Sequence, residues 1–218
     1  VQISVDGMPV NMVSHAHGQG YADLHFVIPE LIHRVEFDKG PYSASHGNFS
    51  TAGCVDFKTK DVLDKNFVQL EAGRFDTYRA VFGINLLKPN RLNHSLLLAG
   101  EGSFTQGYFD SPQDFYRLNG MLKYINKLNK NNEMSLTVTA FSSEWNASGQ
   151  IPERAVKQGI IGFYGAIDDT EGGNTTRLNG NFKLHSKLGN GATLDNQIYY
   201  TSYEFDLFSN FTFYKEDP

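Results

Sequence analysis

The sequence predicts an all-β fold: a portion of a transmembrane barrel, an antiparallel meander of about seven or eight strands from a larger barrel, preceded by a small α+β unit. Three observations predict it. From Asn66 onward, apolar and polar residues alternate with a period of two over segments of about 10–14 residues, against about 5–6 for a typical soluble strand. The connections between these segments are tight on one side and long on the other. Aromatic residues make up 13% of the chain and glycines number 21, a mix that suits strands and turns.

Taken in order, strands are expected at about 66–75, 77–88, 91–103, 114–127, 132–145, 175–187 and 192–205, with an eighth beginning near Asn210. The connections are Asp76, Pro89-Asn90, Ser103 to Gln113, Asn129 to Asn131, Asn146 to Asn174, and Leu188 to Gly191. With the first counted as external, one short and two long connections lie outside and three tight turns lie opposite, which is the outer-membrane arrangement. The fourth segment shows the chemistry of such a wall. Tyr116, Leu118, Gly120, Leu122 and Tyr124 share one parity, with an aromatic at each end; Arg117, Asn119 and Lys123 share the other. Tyr116 to Tyr124, tilted by about 40°, spans about 20 Å, close to the ~25 Å apolar band of such walls. The charged face is costly in lipid and is expected to look into a wet lumen. The sixth segment repeats the pattern, with Leu178, Gly180, Phe182 and Leu184 outward and Arg177, Asn179, Asn181 and Lys183 inward. In the second, Ala80, Phe82, Ile84 and Leu86 oppose Arg79, Gly83 and Asn85. A soluble β-sandwich with one solvated face also alternates; strand length and loop parity argue against it.

Residues 1–60 have a different texture: short apolar stretches, an Asp6-Gly7 turn, a Gly- and His-rich loop from Asn11 to Tyr21, and a last short strand at Cys54 to Phe57. The expected division is 1–60 as a separate compact unit and 61–218 as wall. Its short elements and the charges of Arg34 and Glu36 suggest a polar, wet contact with the wall rather than a shared apolar core.

Composition narrows the function. The 218 residues are 40% hydrophobic and 20% charged with a net charge of -5, so the chain is not disordered and lacks the basic surface a nucleic-acid partner requires. No apolar run approaches the ~18 residues of a membrane helix, which leaves barrels untouched. Cys54 is the only cysteine, so neither a disulfide framework nor a cysteine-based zinc site follows from sequence; it is expected to fill a small apolar position. The chain starts at Val1 with a strand under way and reads as a fragment cut at both ends. The common hydrolase, metalloprotease and dinucleotide signatures are missing, so no enzyme and no cofactor is expected.

Residues 1–60 resemble the second half of the plug of TonB-dependent outer-membrane receptors. The residues that carry the resemblance are Val5 to Asn11, Ile28 to Phe37, Lys39-Gly40-Pro41-Tyr42-Ser43-Ala44, His46-Gly47-Asn48, and Gly53 to Lys60. Four positions depart from the family pattern. Ala52 stands for a Gly, His46 for a Tyr, Cys54 for a small apolar residue and His33 for a Glu. Gln150-Ile151-Pro152 and Asp168 to Gly173 fit the family's third external loop. The resemblance implies a 22-stranded barrel in the bacterial outer membrane. It also implies active uptake of a scarce small-molecule or metal-chelate ligand, driven by the TonB complex through a segment before Val1. An iron–siderophore complex is the default ligand, with cobalamin or another nutrient as rival. A passive porin or a surface adhesion barrel is the alternative from another class.

Three further groups of residues are candidates. His15 and His17, with Tyr21 behind them, sit in the Gly-flanked loop that the resemblance places at the plug's outward apex. Two imidazoles at i, i+2 can hold a metal or an iron chelate, but two ligands make no complete site; otherwise they are loop groups facing lumen water. In the long 146–174 loop, Trp145 at its base, Tyr164, Asp168 and Asp169 are ligand-binding candidates. Arg34 and Glu36 resemble the family's Arg-x-Glu and are expected either to dock the plug on the wall's charges or to form a local exposed pair.

Overall fold

The structure is a computed structural model and describes residues 1–42, 46–88 and 93–212. The first unit is a small sheet of β1 (Gln2–Val5), β2 (Met8–Pro9), β3 (Ile32–Lys39) and β4 (Gly53–Thr59), in the order β2-β1-β4-β3. β1 and β4 are parallel, and β2 and β3 run antiparallel to their neighbours. The Asp6-Gly7 turn that the sequence predicts closes β1 onto β2; Asp6 has φ 50° and Gly7 φ 74°. Helix in this unit amounts, among the described residues, to one 3-10 turn, Pro29–Leu31, where Pro29 presets the first φ and the N–H of Leu31 donates to Ile28 O at 3.0 Å.

The second unit is one antiparallel meander. Its strands are β5 (Phe67–Gly73), β6 (Thr77–Leu87), β7 (His94–Thr105), β8 (Phe115–Lys127), β9 (Asn132–Asn146), β10 (Gly172–Lys187) and β11 (Thr193–Phe208), each paired with its neighbours in sequence. From β6 on they run to 11–16 residues, the length that membrane-wall strands require. None of the described helices is long and apolar enough to cross a membrane. The 146–174 loop is shorter at its far end than expected, since β10 starts at Gly172, and it holds a short helix, α1 (Glu153–Lys157). Ser43-Ala44 of the plug motif, the Pro89-Asn90 turn and the body of the expected eighth strand lie outside the described residues; the last described residues, Phe211 and Thr212, form a turn.

The parity of the wall follows the alternation. In β8, Leu118 is 56% exposed and Leu122 40%, while Asn119 and Lys123 are 7% and 5% exposed. In β10, Leu178 faces out, and Arg177, Asn179 and Asn181 are buried on the plug side. The uniformly wet contact, however, is not what the structure shows. Ile28, Leu31 and Leu63 pack with the inward-facing Val81, Leu97, Ala99 and Met121 in one apolar cluster, and Val5, Val10 and Phe26 pack with Phe141 in a second. The reason is geometric: inward positions that the plug covers are dry, so apolar side chains there are stabilised by about 1.5–3 kcal/mol each on burial.

Candidate functional site

The 11–21 loop is held shut by its own backbone and one side chain. Met12 N donates to Tyr21 O and Gly20 N to Met12 O, both at 2.8 Å. Asn11 Oδ1 accepts from Ile3 N at 2.6 Å, and its Nδ2 donates to Gly20 O at 2.9 Å, which ties the loop to β1. The glycines turn the chain; Gly20 (φ 79°) also lies so near Phe49 that a Cβ would sit 3.2 Å from its ring.

That closure stacks three rings. The His15 ring lies 4.0 Å from the Tyr21 ring and 5.2 Å from that of His17, with Phe205 of β11 at 4.5 Å. The hydrogen bonds define the His15 tautomer. His17 N donates to His15 Nδ1 at 3.1 Å, so His15 Nδ1 is an acceptor and its Nε2–H donates to Tyr203 Oη at 3.2 Å. His17 Nδ1 also lies 3.3 Å from His15 Nδ1, which keeps the two rings together. Burial, followed by the neighbouring His17, lowers the pKa of His15 from its ordinary value.

Beneath the stack is a cavity of about 290 Å³ lined by His17, Tyr21, Asp23, Phe115, Trp145 and Phe205 among others. Asp23 is buried at its base and accepts from the His25 backbone N and Nδ1, both at 2.8 Å. Burial alone pushes Asp23 up, but the His25 hydrogen bonds and the Arg177 charge bring it below the usual carboxylate range. The same hydrogen bond to Asp23 raises His25. Arg177 has its guanidinium 4.7 Å from the Phe26 ring and 5.5 Å from that of Tyr203.

His15, His17, Tyr21 and Trp145, distant in sequence, are thus brought to one place. Tyr164, Asp168 and Asp169 are elsewhere. Tyr164 packs on Tyr108 at 5.8 Å, and its carbonyl accepts from Asp110 N at 3.0 Å, joining two long loops. Asp168 accepts from Thr170 Oγ1 and N at 2.6 and 2.9 Å, bonds that hold its carboxyl low; Asp169 is exposed. The site residues missed from sequence are Tyr203, Phe205, Phe115, Asp23 and His25. For Tyr203 and Phe205 a signal existed, since both share the inward parity near the long-loop end of β11.

Plug and wall are joined by buried charge. Lys123 Nζ reaches Asp6 Oδ2 (3.3 Å), Asp61 Oδ1 (2.7 Å) and Thr59 Oγ1 (2.9 Å). Glu30 takes a bidentate grip on Arg79, at 2.7 and 2.8 Å, and Arg79 with Arg117 closes on the fully buried Glu101, each at 2.6 Å. Arg34 and Glu36 bond to each other at 2.7 Å on the exposed side of β3, and the structure gives them no bond to the described wall. Of the plug's carboxylates, those that meet charged groups of the described wall are therefore Asp6 and Glu30.

A membrane wall of long antiparallel strands with a small folded unit locked on its inner face is the architecture of plugged outer-membrane barrels. The comparisons with known proteins agree. Residues 1–54 match the family model described as TonB-dependent Receptor Plug Domain. A 64-residue stretch is 39% identical to TonB-dependent heme receptor A of Haemophilus influenzae (strain ATCC 51907 / DSM 11121 / KW20 / Rd), covering 29% of this chain and 8% of that protein. The fold matches the ferric-catecholate import receptor Fiu from E. coli K12 with a TM-score of 0.70 at 15% identity, over 94% of this chain and 32% of that one. It matches the siderophore receptor PiuA from Acinetobacter baumannii with a TM-score of 0.68 at 17% identity, over 94% and 29%. Residues 1–54 thus match the plug of TonB-dependent receptors, and the fold of the chain is that of the solved outer-membrane receptors. The matched stretch covers less than a tenth of the curated relatives' length, and the chain covers about a third of the solved ones.

Proposed function

We propose that the intact receptor imports a ferric chelate, by default an iron–siderophore complex, in a TonB-driven step. The plug, residues 1–60, acts as gate and carries His15, His17 and Tyr21 as ligand contacts, with Trp145 on the facing wall. The observation that supports this reading is the division of the plug–wall contact: buried ion pairs hold Asp6 and Glu30, while the apex above keeps an exposed imidazole and an aromatic-lined cavity open toward the long loops. Tyr164, Asp168 and Asp169 would meet the ligand only if the loops close over it. The TonB complex is taken to act through a plug segment before Val1. The test is uptake of radiolabelled ferric chelate by cells with and without TonB, alongside single-channel conductance of the purified receptor. Uptake that needs TonB, and a pore that conducts only after the plug is deleted, are expected. Steady conductance of the intact receptor would instead mean a passive porin.

A second reading, heme as the chelate, is favoured by the exposed His17 imidazole stacked among aromatic rings, since a flat iron macrocycle suits both an imidazole ligand and stacking partners. The curated relatives named above are heme receptors. Heme titration of the purified receptor separates the two: a shift of the heme absorption that disappears in the His15→Ala/His17→Ala variant selects heme, and no shift leaves the siderophore reading.

A further inference from the structure

We propose that Asp38, His46 and Cys54 form a binding site for one thiophilic divalent metal ion of the zinc type. The three ligand atoms, a carboxylate oxygen, an imidazole nitrogen and a thiol sulfur, all lie within 4.8 Å of one another. Asp38 and Cys54 are direct cross-strand partners on β3 and β4, so two of the three donors stand on a rigid ladder. Gly53 makes that pairing tight: with φ 137°, a Cβ there would fall 2.3 Å from Asp38 O, so a side chain would force the strands apart. The third donor, His46, comes from the connection between β3 and β4.

The spacing favours a metal over a plain hydrogen bond. His46 Nε2 and Asp38 Oδ2 are 3.5 Å apart. An N–H···O bond sits near ~2.9 Å, whereas two ligands at ~2.0–2.2 Å on a tetrahedral ion are separated by ~3.4 Å. The Asp38 side chain is 66% exposed and that of His46 31%, so both are free to adjust by a rotamer, while the Cys54 thiol is buried and brings the soft donor. Thiolate with imidazole excludes calcium and magnesium, which take oxygen ligands, and suits zinc with three protein ligands and one open position. Occupancy would pin the β3–β4 connection to its sheet. Phe49 on that connection lies against Gly20 of the apex loop, so the ion would also stiffen the support beneath His15 and His17. The proposal stands whatever ligand the receptor imports.

The complete receptor in detergent, stripped with a chelator, is titrated with Co(II) and then Zn(II). One equivalent of Co(II) should give the intense near-ultraviolet absorption of a cobalt–thiolate bond, and Zn(II) should abolish it. Cys54→Ser should remove the band; His46→Ala and Asp38→Asn should each weaken metal binding by more than about tenfold, since even second-shell losses cost that much. The His15→Ala/His17→Ala variant should keep the band. Asp38→Asn disturbs no buried group and keeps the test open if Cys54→Ser lowers the folded yield. No band in the wild type, a band that survives Cys54→Ser, or one lost with the apex histidines overturns the proposal.

Discussion

Glu30 meets Arg79 across the plug–wall contact, and Arg34 meets Glu36 on the open side of β3. The chemistry is the same and the shortest N···O distance is 2.7 Å in both. The surroundings are opposite. Glu30 and Arg79 are 25% and 14% exposed, and Arg79 also serves Glu71 and the fully buried Glu101; Arg34 and Glu36 are 56% and 51% exposed. In the first pair, loss of one partner strands a desolvated charge. In the second, water replaces it at little cost. Charge identity and spacing along the chain therefore say little about which pair holds the plug; the number of dry partners does.

The comparison can be broken or sharpened in the complete receptor by following urea unfolding of the plug, with hydrogen exchange of the β1 and β4 amides as the readout. The largest effect is expected for Lys123→Ala, which abandons Asp6 and Thr59 in a buried site; a loss of about 3–5 kcal/mol of plug stability is expected, and a loss below about 1 would mean that water reaches the site. Leu31→Ala, at a side chain 1% exposed between plug and wall, should cost about 2–5 kcal/mol and show that docking is apolar as well as ionic.

Acid should act on the docked pair. The Arg79 hydrogen bond holds Glu30 below its ordinary pKa. Its contribution is thus complete above the unfolded value of about 4.3 and is lost as pH falls through the lowered folded value. Lowering the pH through that range should move the urea midpoint down in the wild type and less in Glu30→Gln; equal shifts in both would remove Glu30 from the account.

Arg34→Ala should cost under about 1 kcal/mol. A loss above about 3 would assign the pair to wall strands that follow β11, the docking role its resemblance implies. The smallest stability effect, close to none, is expected for His15→Ala/His17→Ala, whose signature is lower ligand affinity at an unchanged yield of folded barrel. Unchanged affinity would return both histidines to ordinary loop groups.

Much of the wall was legible because a strand repeats every two residues. Tyr116, Leu118 and Leu122 against Arg117, Asn119 and Lys123 announce two faces without any knowledge of neighbours. The plug motifs were legible for a similar reason, since turns such as Asp6-Gly7 are local. The identity of the docking charges was not, because Asp6 and Lys123 are 117 residues apart and only the register of β8 behind the plug unites them. The dry patches were hidden too. Val81 and Leu97 look like interruptions of an inward polar face until Leu31 is seen covering them.

By itself the sequence determined the strand periodicity, the side of the wall each residue faces and the short turns, all of which depend on a few neighbouring residues and their backbone preferences. Only the tertiary structure decided that Trp145, Phe205 and the apex histidines share one cavity, that Glu30 rather than Arg34 docks on the described wall, and that Asp38 faces Cys54 across two strands. Each of these depends on register and on exclusion of water between segments far apart in the chain, and no local pattern encodes which dry surface a side chain will meet.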